Sequence, residues 1–298
     1  MAHPRESDFW EWAKPPSDTE DERCGKAVNV VRNAIRLYPG FATGNIDIFA
    51  QGSYRNGTNV KKDSDVDVCV CCRDVFFSEL PPGTTNATFG IFDATYTYPE
   101  FKNEVEAALK SYLGSAAVSR GKKAFDLHEN SYRVDADVVP AFEHRRYRLE
   151  GGIARFWSGT ELRPDAGGRI VNWPQQNYDN GTAKNAGTGF RFKKLVRVLK
   201  RLRNEMAAAK VPAAEPIPSY LIECLVWNAP DRAFVAEEYT ENLKEVLVYL
   251  LVNTVDDQVC SQWFEVNGLK LLFGFHQPWT RLTAQQFIRA AWEYVCAM

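Results

Sequence analysis

The chain has 298 residues, 45% of them hydrophobic, and a formal net charge of −2. That length and composition accommodate one large or two modest domains around a sizeable core, and they argue against a disordered chain. The near-neutral balance offers no global attraction for nucleic acid or an acidic membrane surface, so a polymer-binding role needs a local basic patch.

Residues 1–16 lack an apolar run of signal-peptide length, and no stretch approaches the ~20 apolar residues of a membrane span. The expectation is a cytoplasmic protein with no membrane partner. The seven cysteines include Cys69, Cys71 and Cys72 inside an apolar strand pattern, and they read as buried reduced thiols rather than a disulfide framework. The four histidines, His3, His128, His144 and His276, are scattered, and none stands at finger-like spacing from paired cysteines, which argues against structural zinc.

Ser17 followed by Glu20 is a helix-capping pattern, and Cys24, Ala27, Val28, Val31, Ala34 and Ile35 recur at helical spacing, predicting a long first helix that ends near Pro39-Gly40. Ile46–Ala50 reads as a short strand running into Gln51-Gly52-Ser53-Tyr54, a turn, and a polar loop to Ser64. A second strand covers Val66–Cys72, and its parity puts Asp65 and Asp67 on one face. A Pro/Gly/Thr-rich loop near Pro81–Thr88 precedes a helix marked by Phe101, Val105, Leu109 and Tyr112. Arg133–Phe142 is another strand, with Asp135, Asp137 and Val139 sharing a face. The stretch from Gly151 to Gly189 shows little periodicity and is expected to be a functional loop region where the chain crosses between two lobes. From Phe190 onward the pattern is helical: Phe192, Leu195, Val196, Leu199, Leu202 and Met206 form one stripe, and Lys193, Arg197, Lys200 and Asn204 its neighbour. No internal repeat is present.

The chemistry rests on Gly52-Ser53, eleven residues, then Asp65-Val66-Asp67-Val68, with Asp137-Val-Val-Pro140 some seventy residues later. Alternating aspartates on a strand can share two divalent ions for in-line displacement at phosphorus. Hard oxygen ligands with retained waters suit magnesium, and manganese can substitute. A third carboxylate completes the hydroxyl-side metal and can accept its proton; on residue pattern alone it is Asp135 or Asp137. Gly52 admits a closely approaching phosphate, to which the Ser53 hydroxyl and neighbouring N–H groups can donate.

The sequence of QGSY, SDVDV and ADVVP resembles the active-site pattern of the nucleotidyltransferase superfamily typified by DNA polymerase beta. Val171–Pro174, Asn180–Asn185, Arg197–Lys200 and Pro218–Cys224 are further similar to the bacterial CD-NTases, relatives of cyclic GMP-AMP synthase and oligoadenylate synthetase, and most of all to clade E. The likeness spans roughly residues 17 to 290.

The resemblance implies an α+β fold: a mixed twisted sheet with helices forming the nucleotidyltransferase core over residues 1–170, a helical lobe over 171–298 completing the nucleotide pocket, and an active site in the cleft between them. It implies Asp65, Asp67 and Asp137 as catalytic metal ligands, with Asp137 preferred to Asp135 because the apolar-Asp-apolar-apolar-Pro context matches there. Gln51, Gly52, Ser53, Asn172, Lys184, Lys200, Ser219 and Tyr220 are implied to bind nucleotide. Lys200 and Ser219 would reach phosphates, and Tyr220 would stack on a base, which tolerates any base.

In clade E an asparagine at the place of Asn172 accompanies pyrimidine use. A carboxamide offers the donor and acceptor that match uracil O4 and N3–H, and mismatched bases leave such groups unpaired. The expected activity is therefore template-independent synthesis of a cyclic dinucleotide second messenger from nucleoside triphosphates, UTP with or without ATP, in bacterial antiphage signalling (CBASS). The product would be cyclic di-UMP or a mixed uridine-containing ring. A regulatory protein and a separate product-binding effector are the partners this implies, whereas the overall acidity and the missing zinc-ligand cluster argue against a nucleic-acid activator. The alternatives are a linear oligonucleotide synthase, a small-molecule nucleotidyltransferase, and an inactive nucleotide-binding scaffold.

Overall fold

In the computed structural model, which describes residues 4–60, 65–128 and 134–296, a short helix α1 (Glu6–Ala13) precedes the long α2 (Asp18–Leu37). Ser17 starts α2 by accepting the Glu20 N–H at 3.3 Å, and the predicted apolar face is buried. Strand β1 (Ile46–Gln51) leads without a break into a short helix, α3 (Gly52–Asn56), in place of the expected turn. Strand β2 (Val66–Glu79) continues well beyond the expected end at Cys72. A register shift between Cys72 and Phe76 breaks the period-2 pattern that would have revealed the extension.

Helix α4 (Tyr98–Leu113) opens with a reciprocal Thr97–Glu100 capping box and Pro99 in its first turn. Phe101, Val105 and Leu109 are buried, but Tyr112, expected on the same stripe, is exposed at the last turn. Strands β3 (Val118–Arg120), β4 (Phe125–Leu127) and β5 (Ala136–Glu150) follow. Arg133, the expected start of the β5 strand, lies outside the described residues, as does Ser64.

The stretch from Gly151 to Gly189 is not the loop its composition suggested. It holds strands β6 (Ile153–Leu162) and β7 (Ile170–Asn172) and helix α5 (Pro174–Gly187). Gly151 and Gly152, at φ 58° and 81°, make the two-residue turn that pairs Glu150 with Ile153, and both positions need the left-handed region that glycine enters freely. Periodicity is absent for a physical reason. The first four residues of β6 are exposed, and α5 buries only Asn177 and Gly181, so neither element writes an apolar pattern.

The remaining helices are α6 (Phe192–Ala208), α7 (Ser219–Asn228), α8 (Tyr239–Asn253), α9 (Asp257–Cys260) and α10 (Arg281–Cys296). Among the described residues no helix is long and apolar enough to cross a membrane.

The chain divides into two compact units, one within residues 17–54 and 64–174, the other within 1–16, 55–63 and 175–298. The first is built on a sheet of order β1-β2-β5-β4-β3, with β6 beside the distal part of β5 and β7 beside β6. Strands β2 and β5 are parallel; the other pairs are antiparallel. Val66, Val68, Val70 and Val138 form one core with the apolar faces of α2 and α4. On the opposite face Cys69, Cys71, Ala141 and Phe49 make a small cluster, and all three strand cysteines are buried free thiols, as the sequence predicts. In the second unit the Phe192–Met206 stripe of α6 packs with residues of α7, α8 and α10.

Candidate active site

Strand register gathers the acidic residues into a row. Gln51 pairs with Asp67, Asp67 with Asp137, Asp137 with Asp126, and Asp126 with Ser119, so five residues on five strands lie side by side across the sheet. Adjacent strands are spaced about 4.8 Å, and residues in one row share a face. Asp65 lies two residues ahead of Asp67, just before β2, and is exposed. The register sets Asp137, not Asp135, opposite Asp67; the Asp135 carbonyl instead accepts the Val66 N–H at 3.2 Å. Asp126 is a member of the row that pattern reading missed. Its signal was available, since Phe125-Asp126-Leu127 repeats the apolar-Asp-apolar alternation of Val66-Asp67-Val68.

The row is electrostatically strained. Burial pushes the Asp67 carboxyl up to about 6, and the charges of Asp137 and Asp65 add to the rise. Asp137 is likewise raised to about 6, first by burial, then by the charge of Asp126, with Asp65, a hydrogen bond to Asp126 and Asp135 contributing further. The charges that raise these two groups are those of other aspartates.

Gly52 borders this row at φ 65°, and a Cβ built there would lie 2.1 Å from Asp67 Oδ2. The glycine is required twice, by backbone conformation and by the carboxylate against its Cα. Ser53 follows in α3, half-buried.

Asn172 ends β7 opposite Thr160, which pairs in turn with Glu143 on β5. By parity it shares a face with Asp137, six residues further along β5, so the structure separates it from the carboxylate row.

The four implied nucleotide-binding residues of the helical unit are all engaged with protein groups. Lys184 Nζ donates to the Ala229 carbonyl and to Asp231, each at 2.6 Å. Lys200 is buried; its Nζ donates to the Thr58 carbonyl at 3.0 Å and Thr58 Oγ1 at 3.3 Å, and lies 3.8 Å from Glu223 Oε2. Glu223, also buried, accepts from Thr58 Oγ1, Asn56 Nδ2 and Asn177 Nδ2 at 2.6, 3.1 and 3.3 Å. Arg197 donates to the Ala13 and Gly57 carbonyls. Ser219 Oγ accepts from Arg203 at 3.0 Å. The Tyr220 hydroxyl oxygen lies 2.9 Å from Asn177 Oδ1 and 3.1 Å from Glu265 Oε2, one of which accepts its single proton, and burial pushes its pKa well up. This buried network was not legible in the sequence, because Glu223 and Asn177 stand alone among helical residues.

The donor set of the row fits a hard divalent cation, which would offset the mutual repulsion of Asp67 and Asp137. Among the described residues no three His, Cys, Asp or Glu side chains converge as a preformed metal cage. Magnesium is usually held by one or two carboxylates and completes its shell with water and phosphate oxygens.

A mixed sheet bearing neighbouring aspartates, preceded by a strand and a glycine-opened helix, defines a nucleotidyltransferase core. Residues 31–113 match the nucleotidyltransferase domain model, and residues 179–296 match the cGAS/DncV-like nucleotidyltransferase C-terminal helical domain. The chain is 47% identical to the cyclic dipyrimidine nucleotide synthase CdnE of Legionella pneumophila, over 97% of each protein, and 38% identical to that of Cecembia lonarensis, over 99% of each. Its fold is similar to that of the Rhodothermus marinus CdnE c-UMP-AMP synthase solved with Apcpp and Upnpp, with TM-score 0.85, 30% identity, and coverage of 97% of this chain and 96% of that one. The chain belongs to the CD-NTase family, the cGAS/DncV-like nucleotidyltransferases, and within it to clade E. It is accordingly a nucleotidyltransferase acting on nucleoside triphosphates, and membership implies catalysis with a divalent metal.

Proposed function

We propose that this chain makes a uridine-containing cyclic dinucleotide from nucleoside triphosphates, without a template, as a second messenger of CBASS antiphage signalling received by a separate effector. The observation that carries the chemistry is the register pair Asp67–Asp137, two partly buried carboxylates whose pKa values are raised by the charges of other aspartates. The pyrimidine reading rests on the two dipyrimidine synthases at 47% and 38% identity and on Asn172.

Asp65, Asp67 and Asp137 would hold two magnesium ions, or manganese, which supply charge neutralisation at the triphosphate and lower the pKa of the attacking 3′ hydroxyl. Asp137 would also be the group that accepts the hydroxyl proton. Gln51, Gly52 and Ser53 border the carboxylate row, and the Ser53 hydroxyl and backbone N–H groups of this segment donate to the triphosphate. Lys184, Lys200, Ser219 and Tyr220 of the helical unit would add further contacts to nucleotide. Catalysis is positioning plus charge neutralisation, with pyrophosphate leaving in each of two identical steps.

Incubation with the four triphosphates, each labelled in turn, followed by phosphatase and chromatography, tests this reading. The expected product is phosphatase-resistant and carries label from UTP. Label that becomes fully phosphatase-sensitive would mean a linear product or a modified small molecule; label from ATP and GTP alone would remove the pyrimidine assignment. Absence of pyrophosphate release with either metal would leave an inactive scaffold.

A further inference from the structure

Trp173, immediately after Asn172, is buried on the opposite face of the sheet, and its surroundings are specific. His144, completely buried, meets the indole edge-on at a centroid distance of 5.3 Å and an interplanar angle of 85°. The His144 ring is itself fixed by Glu161, whose Oε2 lies 2.9 Å from Nδ1. The Arg146 guanidinium lies 4.9 Å from the indole centroid. His144 and Arg146 on β5 wall the indole's socket, and Glu161 on β6 holds His144 in place.

The floor of the socket is Gly159, the register partner of His144. A Cβ at this position would stand 2.6 Å from the Asn172 carbonyl oxygen and 2.7 and 3.0 Å from two carbons of the Trp173 ring. Gly159 is not among the residues with positive φ, so the glycine serves space and not conformation. One missing methyl thus admits both the Asn172 backbone and the ring behind it. The backbone between them has little freedom, because a residue preceding proline is confined to extended conformations and Trp173 precedes Pro174. A push on the ring or on the Asn172 carbonyl is therefore passed to the carboxamide of Asn172.

Among the described residues the buried indole Nε1 has no hydrogen-bond partner. Leaving a buried N–H unpaired costs stability, a cost that phenylalanine in the same socket would not carry. The indole's greater length lets the ring reach over Gly159.

We infer that Gly159 and Trp173 are positioning residues for base choice, setting the Asn172 carboxamide by seating its backbone in the β5–β6 socket. The inference rests on the assignment of Asn172 as the base-reading residue. In a site built on hydrogen bonds to a base edge, a shift of a few tenths of an ångström weakens the matched base more than a base that was never bonded, so preference falls before turnover does.

The test is a competition assay on the full chain, with UTP and one competing triphosphate carrying different labels in the same tube, so that the incorporation ratio is independent of the folded fraction. Three variants are compared: Asn172→Ala, Gly159→Ala and Trp173→Phe. The expected result is loss of UTP preference in Asn172→Ala, a fall of about tenfold in Gly159→Ala and about threefold in Trp173→Phe, with pyrophosphate release per folded molecule changing less than the ratio in the last two. Preference lost in Asn172→Ala but unchanged within twofold in both socket variants overturns the inference and leaves the reading of Asn172 intact. Preference unchanged in Asn172→Ala removes that reading and the inference with it. Should Gly159→Ala fail to fold, Trp173→Phe, which retains an aromatic ring and deletes an unpaired N–H, decides the matter alone.

Discussion

Gly52 and Asp67 occupy the same space to within one methyl group: the carboxylate oxygen stands 2.1 Å from where a Gly52 Cβ would be. The glycine opening the phosphate-binding segment thus also makes room for the carboxylate proposed to hold metal. Gly52→Ala is expected to lower pyrophosphate release by at least about a hundredfold and to destabilise the fold by roughly 1–3 kcal/mol from steric strain and positive φ. Because the clash is with the side chain of Asp67, the stability loss should shrink by about half or more in the Gly52→Ala, Asp67→Ala double variant, read as coupling in a double-mutant cycle by thermal melting. Additive effects would show that the two residues do not share this space.

The paired carboxyls give the metal-free protein a distinctive pH response. Asp67 and Asp137 hold protons up to about pH 6 in the folded chain against an ordinary value of 3.8, so the unfolded chain loses its protons first as pH rises. Both groups therefore favour the folded state below about pH 4, and that contribution is lost between about pH 4 and 6. In chelator-treated protein Tm should fall across this window, and Asp67→Asn should raise stability at pH 7 by on the order of 1–2 kcal/mol, after allowance for solvent screening. Magnesium should raise Tm above pH 6 and have little effect below pH 5. Thermal melts with and without the metal check all three statements.

Asp126 tunes its neighbour. Its charge and its hydrogen bond both raise Asp137, so Asp126→Asn should shift the acid limb of the pH profile of pyrophosphate release to lower pH by about half a unit to one unit. Asp126→Asn should keep measurable activity, whereas Asp137→Asn should abolish it and Asp135→Asn should cost less than about tenfold. A more severe loss in Asp135→Asn than in Asp137→Asn would reverse the assignment of the third metal ligand.

Lys200 and Glu223 form a buried pair that also holds Thr58. Lys200→Met leaves a buried carboxylate without its cation and should cost about 3–5 kcal/mol of stability, part of which Glu223→Gln in the same chain should restore. A rise in the KM for triphosphate measured on the folded fraction would support the proposed contact of Lys200 with phosphate, and an unchanged KM would limit Lys200 to its structural pair with Glu223. Thermal melting and steady-state kinetics on the same preparations separate the two outcomes.

Much of the catalytic half was legible because strands write their faces into the chain with period 2. Val66-Asp67-Val68 and Ala136-Asp137-Val138 declare which side is core and which side carries charge, and Ser17, Thr97 and Pro99 mark helix starts through local hydrogen bonds and fixed φ. The stripe from Phe192 to Met206 is equally local, since a helix repeats its buried face every three to four residues.

The stretch from 151 to 189 defeated the same reading, because a hairpin exposed over much of its length and a helix buried through Asn177 and Gly181 leave no apolar period to detect. Register and burial of polar groups also escaped it. Sequence alone determined that carboxylates would project from two strands in a nucleotidyltransferase core. Only the tertiary structure decided that Asp137 rather than Asp135 faces Asp67, that Asp126 joins the row, that Gly52 is shaped around Asp67, and that Lys200 lies against Glu223. Each of these is a contact between residues far apart in the chain, fixed by how strands pair and helices pack rather than by any pattern that neighbouring residues can carry.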